Sequence, residues 1–171
     1  MPKFAHLPLI LKPEGNGKLS KRDGDRLGFP VFPIDWQSHK DNQVFRGYRE
    51  RGFFKAAFIN MLAFLGWNPG TEKELFTIEE LVKEFSLDRV GRSGAKYDHD
   101  KTKWFNQQHL RLMSNEDILK GAPLKYSSML ESYNLAYKLR AISLLKERAV
   151  FIDDVFSEGE YFFCEKVSYS K

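Results

Sequence analysis

A single cysteine, Cys164, occurs in 171 residues, so no internal disulfide can form and the composition fits a reducing cytoplasm. The four histidines (His6, His39, His99 and His109) are scattered, and none stands at zinc-ligand spacing from that cysteine. No apolar run reaches the roughly 18 residues that a membrane helix needs, so no membrane-spanning helix is expected. The opening residues lack a basic stretch followed by apolar and small residues, and no signal peptide is read there. Two glycine-rich phosphate signatures are also missing. The P-loop would need glycine where Lys12 stands and Ser or Thr where Leu19 stands. The dinucleotide fingerprint would need glycine in place of Ser20.

What remains is a chain of ordinary globular character. Hydrophobic residues make up 42% and aromatic residues 15%, enough for a packed core in one domain or two small ones. Charged residues make up 29%, which argues against disorder. The net charge of +4 favours an anionic partner without choosing between nucleic acid and a membrane surface.

The most unusual stretch is Gly15-Asn16-Gly17-Lys18-Leu19-Ser20-Lys21-Arg22-Asp23-Gly24. Two lysines, an arginine and a serine crowd into five residues between glycines, which reads as a mobile basic loop. Clustered ammonium groups suit a polyphosphate. Taken alone, a K-x-S-K-R string more often marks a solvated loop than a phosphate site.

Patterning supplies the surroundings. Phe4 to Leu11 is apolar and broken by Pro8, an extended segment or edge strand leading into the loop. His6 in that segment reads as packed structure more readily than as a substrate contact. Residues 25–46 carry Leu27-Gly28-Phe29-Pro30-Val31-Phe32-Pro33-Ile34-Asp35-Trp36 and then a polar tip, Ser38 to Gln43; a hairpin fits. A helix is expected over 53–65, burying Phe54, Phe58, Met61, Leu62 and Leu65 and stopped by Gly66. Thr77 and Glu80 form a capping box, with Phe76 and Leu81 as its staple, and Leu81, Val82 and Phe85 are expected inward. Ser114 with Asp117 repeats the device, with Met113 placed against Ile118. Further helices are expected over about 99–112, with Trp104, Phe105 and Leu112 available for burial, over 128–148, with a stripe of Leu135, Leu139, Ile142 and Leu145, and over 150–156. Arg89, Arg92, Lys96, Lys101 and Lys103 surround Ser93-Gly94; a solvated face and a phosphate-backbone contact are equally open.

The combination FAHLPLIL (residues 4–11), a short turn and then KLSKRDG (residues 18–24) resembles the second signature of the class I glutamyl-tRNA synthetases. FLGWNPG (64–70), RSGAK (92–96) and WFN (104–106) are similar to later segments of that family. The resemblance implies a mainly α fold with a small α+β part. Residues 1–28 would end a catalytic domain, 29–100 would form a stem-contact-like domain with an insertion at about 25–46, and 101–171 would open a helical anticodon-binding domain. It implies ATP-dependent activation of glutamate, with magnesium accompanying ATP, and transfer to the 3′ end of tRNA(Glu) by a cytoplasmic, monomeric enzyme. Lys21 would contact the ATP phosphates and departing pyrophosphate, Lys18 would support it, Ser20 is the central serine and Arg22 the trailing basic residue. No metal-ligating residue is implied. The histidine-rich first signature of that family has no counterpart in these residues, so the sequence reads as part of a larger enzyme, inactive by itself. A freestanding basic tRNA-binding module is the alternative. The aromatics of 25–46 would either contact tRNA or cover the base of the loop.

Overall fold

The three-and-four spacing of apolar residues after Gly52 becomes α2, Lys55–Phe64, in the computed structural model of the chain, which describes residues 2, 4–15 and 17–163. Asn16 and Cys164 lie outside the described residues. Among the described residues the architecture is mainly helical, as expected, with two small two-stranded sheets. The chain divides into two compact units, Met1–Phe105 and Asn106–Lys171.

The first unit contains β1 (Ile10–Leu11), α1 (Lys21–Leu27), β2 (Trp36–Gln37), β3 (Val44–Phe45), α2, α3 (Ile78–Glu84) and β4 (Ala95–Lys96). Strands β1 and β4 pair in parallel, with Ile10 opposite Ala95 and Leu11 opposite Lys96. Of the extended segment expected over 4–11, only Ile10–Leu11 is strand. Pro8 has no N–H to give a ladder, which keeps the earlier residues out of it. Strands β2 and β3 form the expected hairpin, with Trp36 opposite Phe45. At its polar tip the Ser38 N–H donates to the Gln43 carbonyl at 2.9 Å. Asn42 takes a φ of 55° there, a conformation its short polar side chain tolerates.

Helix α2 stops at Gly66, whose φ of 101° closes the turn. Trp67, Phe76 and Leu81 form a core against Ile59, Ala63, Phe64 and Val90. The Thr77–Glu80 capping box is present, with both reciprocal hydrogen bonds. Two expectations about burial differ. Leu62 and Val82 are exposed, and Phe85 is only half covered, although its ring lies 5.5 Å from that of Trp67. Helix α3 has two turns and one buried residue, Leu81, so it leaves a shallow apolar groove that Leu62, Val82 and Phe85 line. A second cluster joins Phe29, Tyr48, Phe53 and Tyr97, in which the Tyr48 hydroxyl donates to that of Tyr97 at 2.8 Å.

Helix α4 (His99–Leu112) has the bounds read from the sequence. Phe105 and Leu110 are buried, whereas Leu112 is exposed. Residues two apart on a helix do not share a face, so a buried Leu110 turns Leu112 outward. In the second unit follow α5 (Asn115–Lys120), α6 (Ser127–Glu131), α7 (Leu135–Leu145) and α8 (Ile152–Ser157). Ser114 caps α5 as expected. The single helix expected over 128–148 is two. The Asn134 side-chain Oδ1 accepts the Tyr137 N–H at 2.9 Å and caps α7 afresh, so the chain breaks at Ser132–Asn134. Leu135 is thereby exposed, and Ala141, Ile142 and Leu145 carry the burial of α7. Helix α5 packs on α7, and Val155 and Phe156 of α8 are fully buried.

Candidate functional site

The basic stretch is built as a turn followed by a helix start. The Lys12 N–H donates to Gly17 O at 2.9 Å and the Leu19 N–H donates to Ile10 O at 2.8 Å, so Lys18 sits on a bridge beside Leu11. Gly15 at the turn has a φ of 77°, where a side chain would be strained. Ser20 then opens α1, and Lys21 and Arg22 are its first residues. Lys18, Ser20, Lys21 and Arg22 are all exposed. The stretch read as a loop is thus held at both ends by backbone hydrogen bonds.

Asp23 fixes that arrangement. Its buried carboxylate accepts the Ser20 hydroxyl at 2.5 Å and the Ser20 N–H at 2.9 Å. The Asp23 N–H in turn donates to Ser20 O at 3.1 Å. Lys12 Nζ lies 3.0 Å and Arg26 3.3 Å from its other oxygen. The Ser20 hydrogen bonds, then Lys12, hold the Asp23 carboxyl far below its ordinary 3.8. Sequence reasoning missed this residue's role. The signal was present: Ser20-x-x-Asp23 has the cap spacing seen at Thr77 and Ser114, but Gly24 follows it instead of an apolar run. Gly24 itself admits no side chain, since a Cβ would come within 2.1 Å of Val31 Cγ2 and 2.8 Å of Phe29 O.

The hairpin lies beside Lys21. Phe32, Trp36 and Phe45 form one aromatic cluster with ring centroids 5.0, 5.6 and 5.8 Å apart. Lys21 Nζ stands 5.2 Å from the Trp36 ring and 5.5 Å from that of Phe32, within cation–π range. The aromatics of 25–46 thus lie beside the basic stretch.

The second basic group is brought close by β4. Leu11 and Lys96 are paired partners, and a Cβ on Gly94 would meet Leu11 Cδ1 at 2.7 Å. Arg92 and Lys96 are exposed. Arg89 instead donates to Pro69 O at 2.6 Å, and Lys101 pairs with Glu74 at 2.5 Å beneath the Phe64 ring. His6, expected as packed structure, is exposed and lines an open cleft of about 520 Å³ with Pro8, Asp88 and Arg92. Among the described residues, no three His, Cys, Asp or Glu side chains converge as metal donors. No helix among them is long and apolar enough to cross a membrane.

Comparison with known proteins gives this arrangement a context. Residues 1–104 match the family described as tRNA synthetases class I (E and Q), catalytic domain. That match ends next to the place where the chain divides into its two units. The glutamate–tRNA ligase of Flavobacterium johnsoniae is 51% identical over 174 residues, covering 99% of this chain and 34% of that protein. The Christiangramia forsetii glutamate–tRNA ligase is 48% identical over 168 residues, covering 98% and 33%. The crystal structure of a glutamate tRNA ligase from Elizabethkingia meningosepticum, in complex with its amino acid, superposes with a TM-score of 0.88 at 46% identity. It covers 100% of this chain and 34% of that one. The chain spans about a third of the length of the curated relatives it matches. With more than half of its residues inside the family match, and with FAHLPLIL and KLSKRDG joined here by one turn, the chain belongs to the class I tRNA synthetases of the E and Q family.

Proposed function

We propose that this chain supplies the ATP loop and a tRNA-contacting surface of a glutamate–tRNA ligase. In the first step a glutamate carboxylate oxygen attacks the α-phosphorus of ATP, the bond to the β-phosphate oxygen breaks, and pyrophosphate leaves. Negative charge on the leaving group grows as that bond stretches. A cation placed there stabilises the transition state more than the bound substrate, and so raises the rate. Lys21 is given that task, Lys18 supports it from the bridge beside Leu11, Ser20 holds the cap that aims both, and Arg22 adds charge to the same exposed face. Magnesium travels with the triphosphate, whose oxygens suit it. This chain's own residues are not asked to hold it. A hydroxyl at the 3′ end of tRNA(Glu) then attacks the glutamyl carbonyl carbon, the bond to the adenylate phosphate oxygen breaks, and AMP leaves.

The exposed Arg92 and Lys96 are read as tRNA backbone contacts, with residues 29–100 as a stem-contact-like domain and 101–171 as the opening of a helical anticodon-binding domain. The ligase is read as a cytoplasmic monomer. The observation that carries the proposal is that Lys18 and Lys21 are presented to solvent from an anchored turn and helix start, with no carboxylate partner shown for either among the described residues. In the full-length ligase carrying this segment, Lys21→Ala is expected to slow ATP–pyrophosphate exchange by about 100-fold while tRNA affinity changes little. Unchanged exchange would overturn the assignment.

A further inference from the structure

We infer that Phe32 and Trp36 form a positioning shelf for Lys21, holding its ammonium group by their ring faces so that it meets the polyphosphate already aimed. The inference rests on Lys21 acting at the triphosphate.

Lysine's four-carbon stem samples many rotamers, and a lysine in free solvent must be ordered each time it acts. Two restraints are available to a fold. A carboxylate holds an ammonium but cancels its charge. Lys12 is held in that way by Asp23. An aromatic face holds the ammonium through its quadrupole and leaves the charge and the outward N–H donors available to an anion. Lys21 has the second kind of restraint, at 5.2 and 5.5 Å from the two rings.

The shelf is itself built to stay in place. At the hairpin base, Asp35 accepts the Gly47 N–H at 2.7 Å and pairs with Arg46 at 3.0 Å. The Asp35 N–H donates to Glu50 at 2.9 Å. Position 47 has no space for a side chain, because a Cβ there would lie 2.1 Å from the Ile34 carbonyl carbon. On the other side, Gly24 of α1 closes against Val31 and Phe29, so the helix that carries Lys21 and the segment that carries Phe32 pack directly. The lysine and its shelf are therefore registered to each other.

The test is ATP–pyrophosphate exchange in the full-length ligase carrying this segment, with Trp36→Leu, Trp36→Phe, Lys21→Ala and the Lys21→Ala/Trp36→Leu pair. Trp36→Leu is expected to lower kcat/KM by about threefold to tenfold, Trp36→Phe to restore most of the loss, and Trp36→Leu to cost nothing further once Lys21 is alanine. An equal loss in both backgrounds would show a merely structural tryptophan and overturn the inference. If Trp36→Leu does not fold, Phe32→Leu serves the same cycle. Should Lys21→Ala leave exchange unchanged, the reading of Lys21 fails, and the shelf is judged by NMR alone. The Lys21 ε-methylene protons are expected upfield from ring currents, and Trp36→Leu should return them; resonances at ordinary positions would overturn the shelf by themselves.

Discussion

Asp23 is the residue on which the candidate loop turns. It binds both the hydroxyl and the N–H of Ser20 and draws in Lys12 and Arg26. Asp23→Ala is expected to free the start of α1, seen as several-fold faster hydrogen exchange at the Ser20 amide, with α3 unaffected. Because the folded carboxyl titrates below its ordinary 3.8, its contribution is fully present above that value and is lost only as pH falls through the lowered one. The cap should therefore survive mild acid, and the protection factor of the Ser20 amide, its exchange rate corrected for the intrinsic pH dependence, should stay constant down to pH values near 4. At this scale the sequence was informative about types and silent about contacts. Lys18, Ser20, Lys21 and Arg22 could be named through the resemblance of KLSKRDG to a family signature. That Asp23 anchors them, and that Trp36 faces Lys21, depends on how the hairpin folds back, which no local pattern reports.

Asn60 makes the corresponding argument for an element. It is buried on α2, where its amide donates to Phe76 O at 2.7 Å and its carbonyl accepts the Phe76 N–H at 2.9 Å. One side chain thus satisfies both backbone groups of the residue that enters α3's cap. Asn60→Leu leaves a buried donor and acceptor unpaired and is expected to cost about 2–4 kcal/mol in urea unfolding. Thr77→Ala removes one exposed cap bond and should cost about 1 kcal/mol. A smaller effect for Asn60→Leu than for Thr77→Ala would contradict this account. The caps at Thr77 and Ser114 were legible because their chemistry is local. The break before α7 was hidden inside a run whose apolar stripe continues past it, although Asn134 was the signal. Leu62 and Val82 were misplaced for another reason: periodicity tells which residues share a face, and not whether a neighbour is long enough to cover it.

For the molecule as a whole, the response to acid between pH 7 and 5 is expected to come from two histidines. Burial, and then the nearby Lys103 charge, hold His99 below the ordinary 6.5, and burial does the same for His109. The unfolded chain then takes up more protons than the folded one as pH drops through that range, so the histidine contribution to stability declines from about pH 6.5 downward and levels off below the folded values. The melting temperature is expected to be flat from pH 8 to 7 and to fall between 6.5 and 5. In His99→Asn/His109→Asn that slope should shrink, and an unchanged slope would place the acid sensitivity elsewhere. Most of the helices could be read from patterning, and the mainly helical class followed from the family resemblance. The β1–β4 pairing did not, because a parallel pair joins strands from opposite ends of a unit and neither two-residue strand shows any alternation of its own.

That pairing also orders events in time. The hairpin, α2 and α3 all lie in the loop that the contact between Ile10 and Ala95 closes. Closing so large a loop is entropically slow, whereas α5 and α7 are separated by a short stretch of chain. The strand that leads into the basic turn is accordingly expected to join its unit late in refolding.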